Sequence, residues 1–398
     1  MSTEINYWAI NNAARALGQH PESARNNFIS LLSDELRAHQ KEIIAANAED
    51  VKKAEAEGLP PAFIERLMLD KKGIDKIILG LKDISALKSR DGKILEEKKL
   101  KNGVHLKKVA TSLGVVAVIY EARPEVTIDV AALCIKSGNA AILKGGSEAV
   151  QTNQALFSCI QKALAASKLP KDAIALISTS DRSVTDNLLA QHDYIDLVIT
   201  RGGYDLVKYV QSRSTIPVLA HSAGGARIYV DKSADLSIVE KIVINAKTSK
   251  PAACNSLDTV ILHQDIADKI LPRLTAALEK LHVKVVNDRW DAEFLDLKIG
   301  IKIVKNLDAA IEFINTYTKS HSEGIIAEDR GVIKKFTDAV DAAAVFVNCS
   351  TRLHDGFVFE MGAEIGIATG KLHARGPVGL NELSTYKWEV YGNGQIKE

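Results

Sequence analysis

Between residues 113 and 220, five short apolar runs alternate with helix-like segments, and this alternation constrains the fold more than any other feature of the chain. The runs are 113-LGVVAVIY-120, 140-AAILK-144, 173-AIALIS-178, 195-IDLVIT-200 and 216-IPVLA-220. Continuous apolar strands separated by helices are typical of a mostly parallel sheet that helices cover on both faces. We therefore expect an α/β domain in this part of the chain.

A second alternation follows Gly224-Gly225 and predicts a second α/β domain. Its expected elements are strand 227–231, helix 235–248, strand 258–263, helix 265–281 and, later, strand 342–348. Residues 3–90 carry apolar side chains every three or four positions, which predicts helices. The charged segment 91–112 contains Asn102-Gly103, a strong hairpin signal, and the tail 382–398 is strand-like.

Composition and charge exclude several classes of function. Lys and Arg total 51 against 50 Asp and Glu, so the basic surface that nucleic-acid binding requires is not expected. The apolar runs are too short to cross a membrane, and the first residues lack a secretory signal pattern. The four cysteines are scattered without a CxxC pair, which argues against disulfides and a metal site. We expect a cytoplasmic protein.

Cys254 is the cysteine with a chemically suggestive setting, in 250-KPAACNSLDT-259. It falls on a predicted loop between a helix and a strand, where functional residues concentrate. Asn255, Ser256 and the backbone N–H groups beside it suit a thiolate or a developing oxyanion. Cys134 and Cys159 lie on apolar helix faces and are expected to be inert. The residues alone leave both a structural thiol and a nucleophile open for Cys254.

Three further segments suit anionic ligands because each follows a predicted parallel strand, the edge at which such sheets bind ligands. The first is 120-YEARP-124, in which Arg123 suits a carboxylate, phosphate or oxyanion. The others are 138-GNAAILKGGSEA-149 and 200-TRGG-203, each a strand followed by two glycines and a helix. The helix N-terminus after the first glycine pair is expected to offer N–H groups to phosphate. No GxGxxG motif is present.

Taken in order, these motifs resemble the gamma-glutamyl phosphate reductases, a family within the aldehyde dehydrogenase superfamily. The resemblance runs from about residue 10 to 398. Its most specific segments are 118-VIYEARPEVTIDVAALCIKSGNAAILKGGSEA-149, 245-NAKTSKPAACNSLDTVILH-263, 363-AEIGIATGKLHARGPVGL-380 and 385-TYKW-388.

The resemblance implies roles for individual residues. Cys254 matches the family's nucleophile, and Arg123 falls where related aldehyde dehydrogenases keep an asparagine that stabilises the oxyanion, a role to which Asn255 also contributes. The candidate residues for binding NADPH are Lys144, Gly145, Gly146, Ser147, Glu148, Arg201, Gly202, Gly203 and Glu364.

The resemblance also implies a domain organisation. It predicts an NADP-binding domain from residues 1–91 and 111–225, with residues 357–376 packing back near it. Residues 226–356 would form the catalytic domain that carries Cys254. Residues 92–110 and 377–398 would form an oligomerisation hairpin and C-terminal strands, which implies a homo-oligomer.

The implied reaction is the NADPH-dependent reduction of L-glutamate 5-phosphate to L-glutamate 5-semialdehyde and phosphate through a Cys254 thioester. The product would cyclise to 1-pyrroline-5-carboxylate, which makes this the second step of proline biosynthesis from glutamate. Glutamate kinase, which makes the substrate, is a candidate partner.

Two alternatives remain open: an aldehyde-oxidising NAD(P) dehydrogenase of the same fold, and a catalytically inactive homologue that acts as a scaffold. Aldehyde-oxidising relatives carry a glutamate that activates water, and its place here is taken by Ser222 in 221-HSAGGA-226. Without that base, a thioester is poorly set up for hydrolysis and exchanges with phosphate or accepts hydride. This favours the reductase.

Overall fold

The computed structural model of the chain describes residues 5–179, 181–220 and 224–397. The chain divides into two compact units: unit 1 comprises residues 1–219, 361–366 and 378–398, and unit 2 comprises residues 220–360 and 367–377. Each unit contains a parallel sheet with helices. The predicted α/β architecture with two parallel-sheet domains is therefore confirmed, whereas the assignment of functions to those domains stays a prediction.

The secondary structure follows the predicted alternation closely. The helices are α1 (Tyr7–Leu17), α2 (Glu22–Ala38), α3 (Gln40–Ala56), α4 (Pro61–Leu67), α5 (Lys71–Ala86), α6 (Glu125–Ser137), α7 (Val150–Ser167), α8 (Arg182–Leu189), α9 (Tyr204–Arg213), α10 (Leu236–Thr248), α11 (Gln264–Lys280), α12 (Leu307–Tyr317) and α13 (Arg330–Ala339). The strands are β1 (Ile94–Lys99), β2 (His105–Ser112), β3 (Val115–Tyr120), β4 (Ala140–Lys144), β5 (Ile174–Ile177), β6 (Leu197–Arg201), β7 (Val218–Leu219), β8 (Ala226–Val230), β9 (Leu257–His263), β10 (Lys284–Val285), β11 (Lys298–Val304), β12 (Ser322–Ile326), β13 (Ala344–Val347), β14 (Ile367–Ala368), β15 (Gly376–Pro377) and β16 (Ser384–Tyr391).

Local sequence signals account for the boundaries of the N-terminal helices. Gly58 follows α3 with a φ of 71°, the left-handed conformation that glycine adopts at little cost. Pro61 stands at the first position of α4, where its missing N–H breaks no helical hydrogen bond. Asp70 caps α5, because its Oδ1 accepts the Gly73 N–H at 2.8 Å.

The predicted hairpin is present, and its third strand comes from the tail. β1 pairs antiparallel with β2, and β16 pairs antiparallel with the other edge of β2. The turn closes where Asn102-Gly103 predicts it, with the Leu100 N–H donating to the Val104 carbonyl oxygen at 2.8 Å. Tyr386, Trp388 and Tyr391 on β16 are about half exposed.

The parallel sheet of unit 1 has the order β5-β4-β3-β6-β7 among the described residues. The chain runs from β3 through β4 to β5 on one side and then returns to β6 on the other. The strand order therefore reverses between β3 and β6, the position at which open α/β sheets form a crevice for ligands. β3 and β4 are buried along their whole length, as continuous apolar runs predict.

The parallel sheet of unit 2 has the order β10-β11-β9-β8-β12-β13 in the part of the chain that the structure describes. All seven residues of β9 are buried, and α10 and α11 pack on its apolar face through side chains such as Val243 and Leu274. A buried ion pair joins β8 to β12, with Arg227 Nη1 3.2 Å from Glu323 Oε1. Within the described ranges, no helix is long and apolar enough to cross a lipid bilayer.

Candidate active site

The loop that carries Cys254 joins α10 to β9, as the sequence predicts. The loop is folded by two tight turns, in which the Ala253 N–H donates to the Lys250 carbonyl oxygen at 3.0 Å and the Ser256 N–H donates to the Ala253 carbonyl oxygen at 2.9 Å. Because the loop enters β9 rather than leaving it, Cys254 lies at the N-terminal edge of the unit 2 sheet. Its thiol is half buried.

The backbone at Gly224 and Gly225 lies directly against Cys254. The Gly225 N–H donates to the Cys254 carbonyl oxygen at 2.6 Å. Gly225 has a φ of 107°, a backbone conformation that residues other than glycine rarely adopt. A Cβ on Gly224 would lie 2.5 Å from both Cα and Cβ of Cys254. These two glycines therefore let the chain that enters β8 pass against the cysteine. His221, Ser222 and Ala223 lie outside the described residues.

Two hydrogen bonds join Asn255 to the short 3-10 helix Thr351–Leu353 and to His354, which follows that helix. Thr351 Oγ1 donates to the Asn255 carbonyl oxygen at 2.8 Å, and Asn255 Nδ2 donates to the His354 carbonyl oxygen at 2.9 Å. Asn255 is 3% exposed and its Oδ1 is buried without a hydrogen-bond partner. The side chain predicted to stabilise an oxyanion thus also fixes the cysteine loop.

The two buried cysteines behave as the sequence predicts. Cys134 lies on α6 and Cys159 on α7, and both are almost completely buried. Burial raises the pKa of the Cys134 thiol to about 12 and that of the Cys159 thiol to about 11, because a thiolate loses its hydration there. These thiols stay protonated at neutral pH and are poor nucleophiles.

His354, the residue that follows the 3-10 helix, is buried. Ser322 Oγ lies 2.8 Å from His354 Nδ1 and 2.8 Å from His321 Nδ1, and the His354 ring stacks on Phe359 with centroids 5.6 Å apart. Burial lowers the pKa of His354 to about 4, an effect that the charge of Asp355 only partly opposes. His354 is therefore neutral at physiological pH.

Protonation of His354 is expected to destabilise the fold in acid. Its folded pKa of about 4 lies below the ordinary value of 6.5, so the unfolded chain binds more protons between these values and stability falls as pH falls through that window. Urea unfolding at pH 7.0 and 4.5 should show this. The difference in unfolding free energy between wild type and His354→Asn should shrink by about 2 kcal/mol, since one pKa unit is worth about 1.4 kcal/mol. An unchanged difference would contradict the assignment, and exposed His192→Gln is the control.

In unit 1, the segment 120-YEARP-124 forms the turn between β3 and α6. Ala122 has a φ of 43°, unusual for a residue with a side chain. Its N–H donates to Glu148 Oε1 at 2.5 Å, so Glu148 fixes the turn that presents Arg123. Arg123 Nη1 lies 3.8 Å from Glu125 Oε1. The structure thus brings together Glu148 and the Arg123 turn, which the sequence treats as separate motifs.

Lys144 ends β4, and the segment after it holds Gly145, Gly146, Ser147 and Glu148. Lys144 Nζ donates to the Gly145 carbonyl oxygen at 2.8 Å, and burial lowers the pKa of its ammonium group, while the charge of Glu148 opposes that shift. Side chains already fill the space that a Cβ on Gly145 or Gly146 would need, those of Asn153 and Glu148 respectively. A larger residue at either position would displace the Asn153 amide or the Glu148 carboxylate.

A helix begins at Ser147 as the sequence predicts, although its first turn is 3-10, and the availability of its first N–H groups to a phosphate stays a prediction. Ser147–Ala149 form a short 3-10 helix, and α7 begins only at Val150. The Asp50 carboxylate accepts the Gln151 N–H at 3.2 Å and the Thr152 N–H at 2.8 Å. The Asp50 side chain thus already satisfies the Gln151 and Thr152 N–H groups, and these two are not available to a phosphate.

Arg201 ends β6, and the turn after it contains Gly202 and Gly203. Arg201 Nη1 donates to the Glu364 carbonyl oxygen at 3.1 Å and to the Ile365 carbonyl oxygen at 2.7 Å, which holds the 361–366 segment against unit 1's own sheet. The Gly203 N–H donates to Glu121 Oε2 at 2.9 Å. Arg201, Gly202, Gly203 and Glu364 are therefore neighbours.

Glu121 stands between the two glycine turns, because β3 lies between β4 and β6. Burial raises the pKa of its carboxyl group, and the nearby charges of Glu148 and Asp205 raise it further, although the Gly203 N–H opposes them. Carboxylates at this edge suit the hydroxyl groups of a ribose, which donate hydrogen bonds to them. Lys144 suits an anionic group.

Comparison with known proteins identifies the family. The family model described as "Aldehyde dehydrogenase family" matches residues 6–293. The gamma-glutamyl phosphate reductase of Heliobacterium modesticaldum is 42% identical over 97% of this chain and 96% of its own length. The chain belongs to the gamma-glutamyl phosphate reductase family. The gamma-glutamyl phosphate reductase of Moorella thermoacetica is 41% identical over 97% of this chain and 96% of its own.

Solved structures agree with this assignment. The crystal structure of gamma-glutamyl phosphate reductase from Thermotoga maritima is 38% identical, covers 98% of this chain and 99% of its own, and superposes with a TM-score of 0.96. An acetylating aldehyde dehydrogenase from Geobacillus thermoglucosidasius shares the fold with a TM-score of 0.73 at 17% identity, over 98% of this chain and 96% of its own.

No sequence motif points to several residues that lie near Cys254 or near the glycine turns. Arg352 and His354 lie about 100 positions from Cys254, so no spacing rule connects them to it. Glu121 lies inside the quoted YEARP segment, and its place directly after a strand was an available signal. Gly224 lies inside 221-HSAGGA-226, where paired glycines indicate a close approach of backbones.

Proposed function

We propose that this member of the gamma-glutamyl phosphate reductase family reduces L-glutamate 5-phosphate to L-glutamate 5-semialdehyde, with Cys254 as nucleophile and NADPH as reductant. The observation that carries the proposal is the full-length similarity to reductases of that name, at 42% identity, combined with a half-buried cysteine on a loop that two glycines and Asn255 hold in place. The enzyme is an oxidoreductase of the aldehyde dehydrogenase family.

In the first step, the Cys254 thiolate attacks the acyl carbon of the substrate. The sulfur–carbon bond forms, the bond from that carbon to the phosphate oxygen breaks, and phosphate leaves with the electron pair. The thiol proton goes to solvent. Thiolates are strong nucleophiles and phosphate is a good leaving group, so this step needs no dedicated base.

Arg123 and Asn255 are proposed to stabilise the oxyanion that forms during this attack. One Asn255 amide hydrogen serves the His354 carbonyl oxygen, which leaves the second amide hydrogen and the backbone N–H as donors. A single oxyanion donor is typically worth about 3 kcal/mol. The Glu148 carboxylate that fixes the Ala122 N–H would orient Arg123 for this task.

A nicotinamide cofactor, proposed to be NADPH, supplies hydride to the acyl group when it is bound. The residues of unit 1 fit such a group: Glu121 and Glu148 are acceptors for ribose hydroxyls, and Lys144 is a cation for an added phosphate. Arg201 and Gly203 are proposed to contribute by shaping the turn, since their described hydrogen bonds go to Glu364, Ile365 and Glu121.

Lys144→Gln is expected to weaken NADPH preferentially. A charge-assisted hydrogen bond to phosphate is worth about 1.5–3 kcal/mol, so KM for NADPH should rise about tenfold or more while KM for NADH changes less than threefold. Steady-state kinetics with both cofactors measure this, and exposed Lys53→Gln on α3 is the control. Equal changes for the two cofactors would contradict a role in phosphate recognition.

The reverse reaction tests the proposed function. Glutamate semialdehyde and NADP are mixed with and without phosphate, and NADPH absorbance is followed. Phosphate-dependent NADPH formation is expected. Formation that ignores phosphate would indicate an aldehyde-oxidising dehydrogenase, and absence of any signal would favour an inactive scaffold. The first alternative would also undo the inference from Ser222, which lies outside the described residues.

We also propose that the chain forms a homo-oligomer through the sheet β1-β2-β16. Its outer strands expose large side chains, including Ile94 on β1 and Trp388 on β16. Edge strands of this kind readily pair with another chain. A molar mass of one chain by light scattering would refute this. A cytoplasmic location and an association with glutamate kinase stay predictions, testable by fractionation and by co-purification with the kinase.

A further inference from the structure

Residue 352 is held beside the cysteine loop by the hydrogen bonds that flank it. The Thr351 side chain reaches the Asn255 carbonyl oxygen at 2.8 Å, and the His354 carbonyl oxygen receives the Asn255 amide at 2.9 Å. Thr351 is 0% and Asn255 3% exposed, so these bonds are shielded from water. Because both anchors converge on the residue next to Cys254, Arg352 has little freedom to move away.

The guanidinium of Arg352 is anchored on one edge only. Its Nε donates to Ser249 Oγ at 3.3 Å, and Ser249 caps the C-terminus of α10, the helix that leads into the cysteine loop. Among the described residues, neither Nη nitrogen has a hydrogen-bond partner. A guanidinium has five donors in a planar fork that matches phosphate, so the Nη edge remains able to bind an anion.

The charge around Arg352 also suits an anion. Partial burial lowers the pKa of its guanidinium, and the charges that oppose this shift belong to Cys254 and Asp355. The charge of a Cys254 thiolate therefore favours the charged form of Arg352. Asp355 is the carboxylate whose charge raises the pKa of Arg352. Within the described part of the chain, the Arg352 guanidinium forms no ion pair.

We propose that Arg352 binds the phosphate group of the acyl phosphate while Cys254 attacks it, and binds inorganic phosphate in the reverse reaction. This rests on the proposed function and names the residue that recognises its leaving group. The phosphorus of an acyl phosphate is two bonds from the carbon that the sulfur attacks, so a cation near the sulfur is near that phosphate. In reverse, a phosphate oxygen bonds to the acyl carbon, the carbon–sulfur bond breaks, and the thiolate leaves with the electron pair.

The test compares phosphate binding with the reactivity of the thiol. KM for phosphate is measured in the reverse reaction. Alkylation of Cys254 by the neutral reagent iodoacetamide is measured by peptide mass spectrometry. Arg352→Gln should raise KM for phosphate about 30-fold, with kcat largely recovered at saturating phosphate, while the alkylation rate changes less than threefold. Arg352→Lys, which keeps the charge without the fork, should give an intermediate KM.

Two further variants sharpen the comparison. Ser249→Ala removes the anchor of Nε and should raise KM for phosphate severalfold in the same direction. Lys334→Gln removes an exposed positive charge from α13 of the same unit. It should change neither KM for phosphate nor the rate of Cys254 alkylation. It therefore controls for the loss of net charge.

Two outcomes would overturn the inference. If alkylation slows as much as phosphate turnover in Arg352→Gln, the residue supports the thiolate or the loop instead. If KM for phosphate is unchanged, the phosphate binds elsewhere. Failure of the proposed function is distinguishable, because the wild-type protein itself would then show no dependence on phosphate.

Discussion

Cys254→Ala is expected to lower reductive turnover by a factor on the order of 10⁵ or more, the scale seen when an enzyme that works through covalent catalysis loses its nucleophile. Alanine cannot form the thioester, and Cys349, the other half-buried cysteine of unit 2, lies on a different loop that follows β13. The measurement is NADPH consumption with acyl phosphate, together with mass spectrometry of the acylated wild-type protein.

The controls separate chemistry from binding. Cys254→Ala should bind NADPH with a dissociation constant within twofold of wild type, since the proposed cofactor residues lie in unit 1. Cys349→Ala should keep turnover within threefold. If Cys254→Ala stays active, or if the acyl group maps to another residue, then the assignment of the nucleophile is wrong.

Gly224→Ala is expected to lower kcat/KM about 10²-fold or more while leaving the protein folded. The added Cβ would lie 2.5 Å from Cα and Cβ of Cys254, closer than carbon atoms approach. Since one of the two positions is backbone, the cysteine loop or the segment that carries Gly224 must shift. A displacement of about 1 Å at a reacting group can cost 10²-fold in rate.

The matched control for this substitution is Gly370→Ala, because nothing lies within 4 Å of a Cβ built on Gly370 in the same unit. Activity is compared alongside thermal unfolding and the rate of Cys254 alkylation. Wild-type activity in Gly224→Ala would show that the loop tolerates the shift. Loss of folding in Gly224→Ala but not in Gly370→Ala would place the effect on stability rather than on the geometry of Cys254.

The sequence predicts the elements of this fold well where the signal is local. The apolar run 140–144 becomes β4 with the same bounds, and helix 235–248 becomes α10, Leu236–Thr248. The run 216–220 shortens to β7, Val218–Leu219, because only these two residues pair with β6. Periodicity and turn residues determine these features within a few positions of the chain.

The residues of the candidate site are likewise predictable where the signal is local, and their distant partners are not. Cys254 is recognisable because a loop between a helix and a strand is itself a local prediction, and the resemblance assigns its role. The sequence predicts a helix that begins at Ser147 and serves phosphate, but it does not reveal that Asp50, about 100 residues earlier, binds the Gln151 and Thr152 N–H groups of that helix. No local pattern reveals such a partner, because a carboxylate from another helix competes for the same donors.

By itself, the sequence determined the alternation of strands and helices, the hairpin and the loop that carries Cys254, since each depends on residues within about 20 positions. Only the tertiary structure decided what surrounds that cysteine. Asn255 meets Thr351 and His354 at separations of 96 and 99 residues, because the chain runs through β9 to β13 before it returns to the loop. The physical reason is that the packing of the sheet brings these segments together, and side-chain spacing along the chain does not record it.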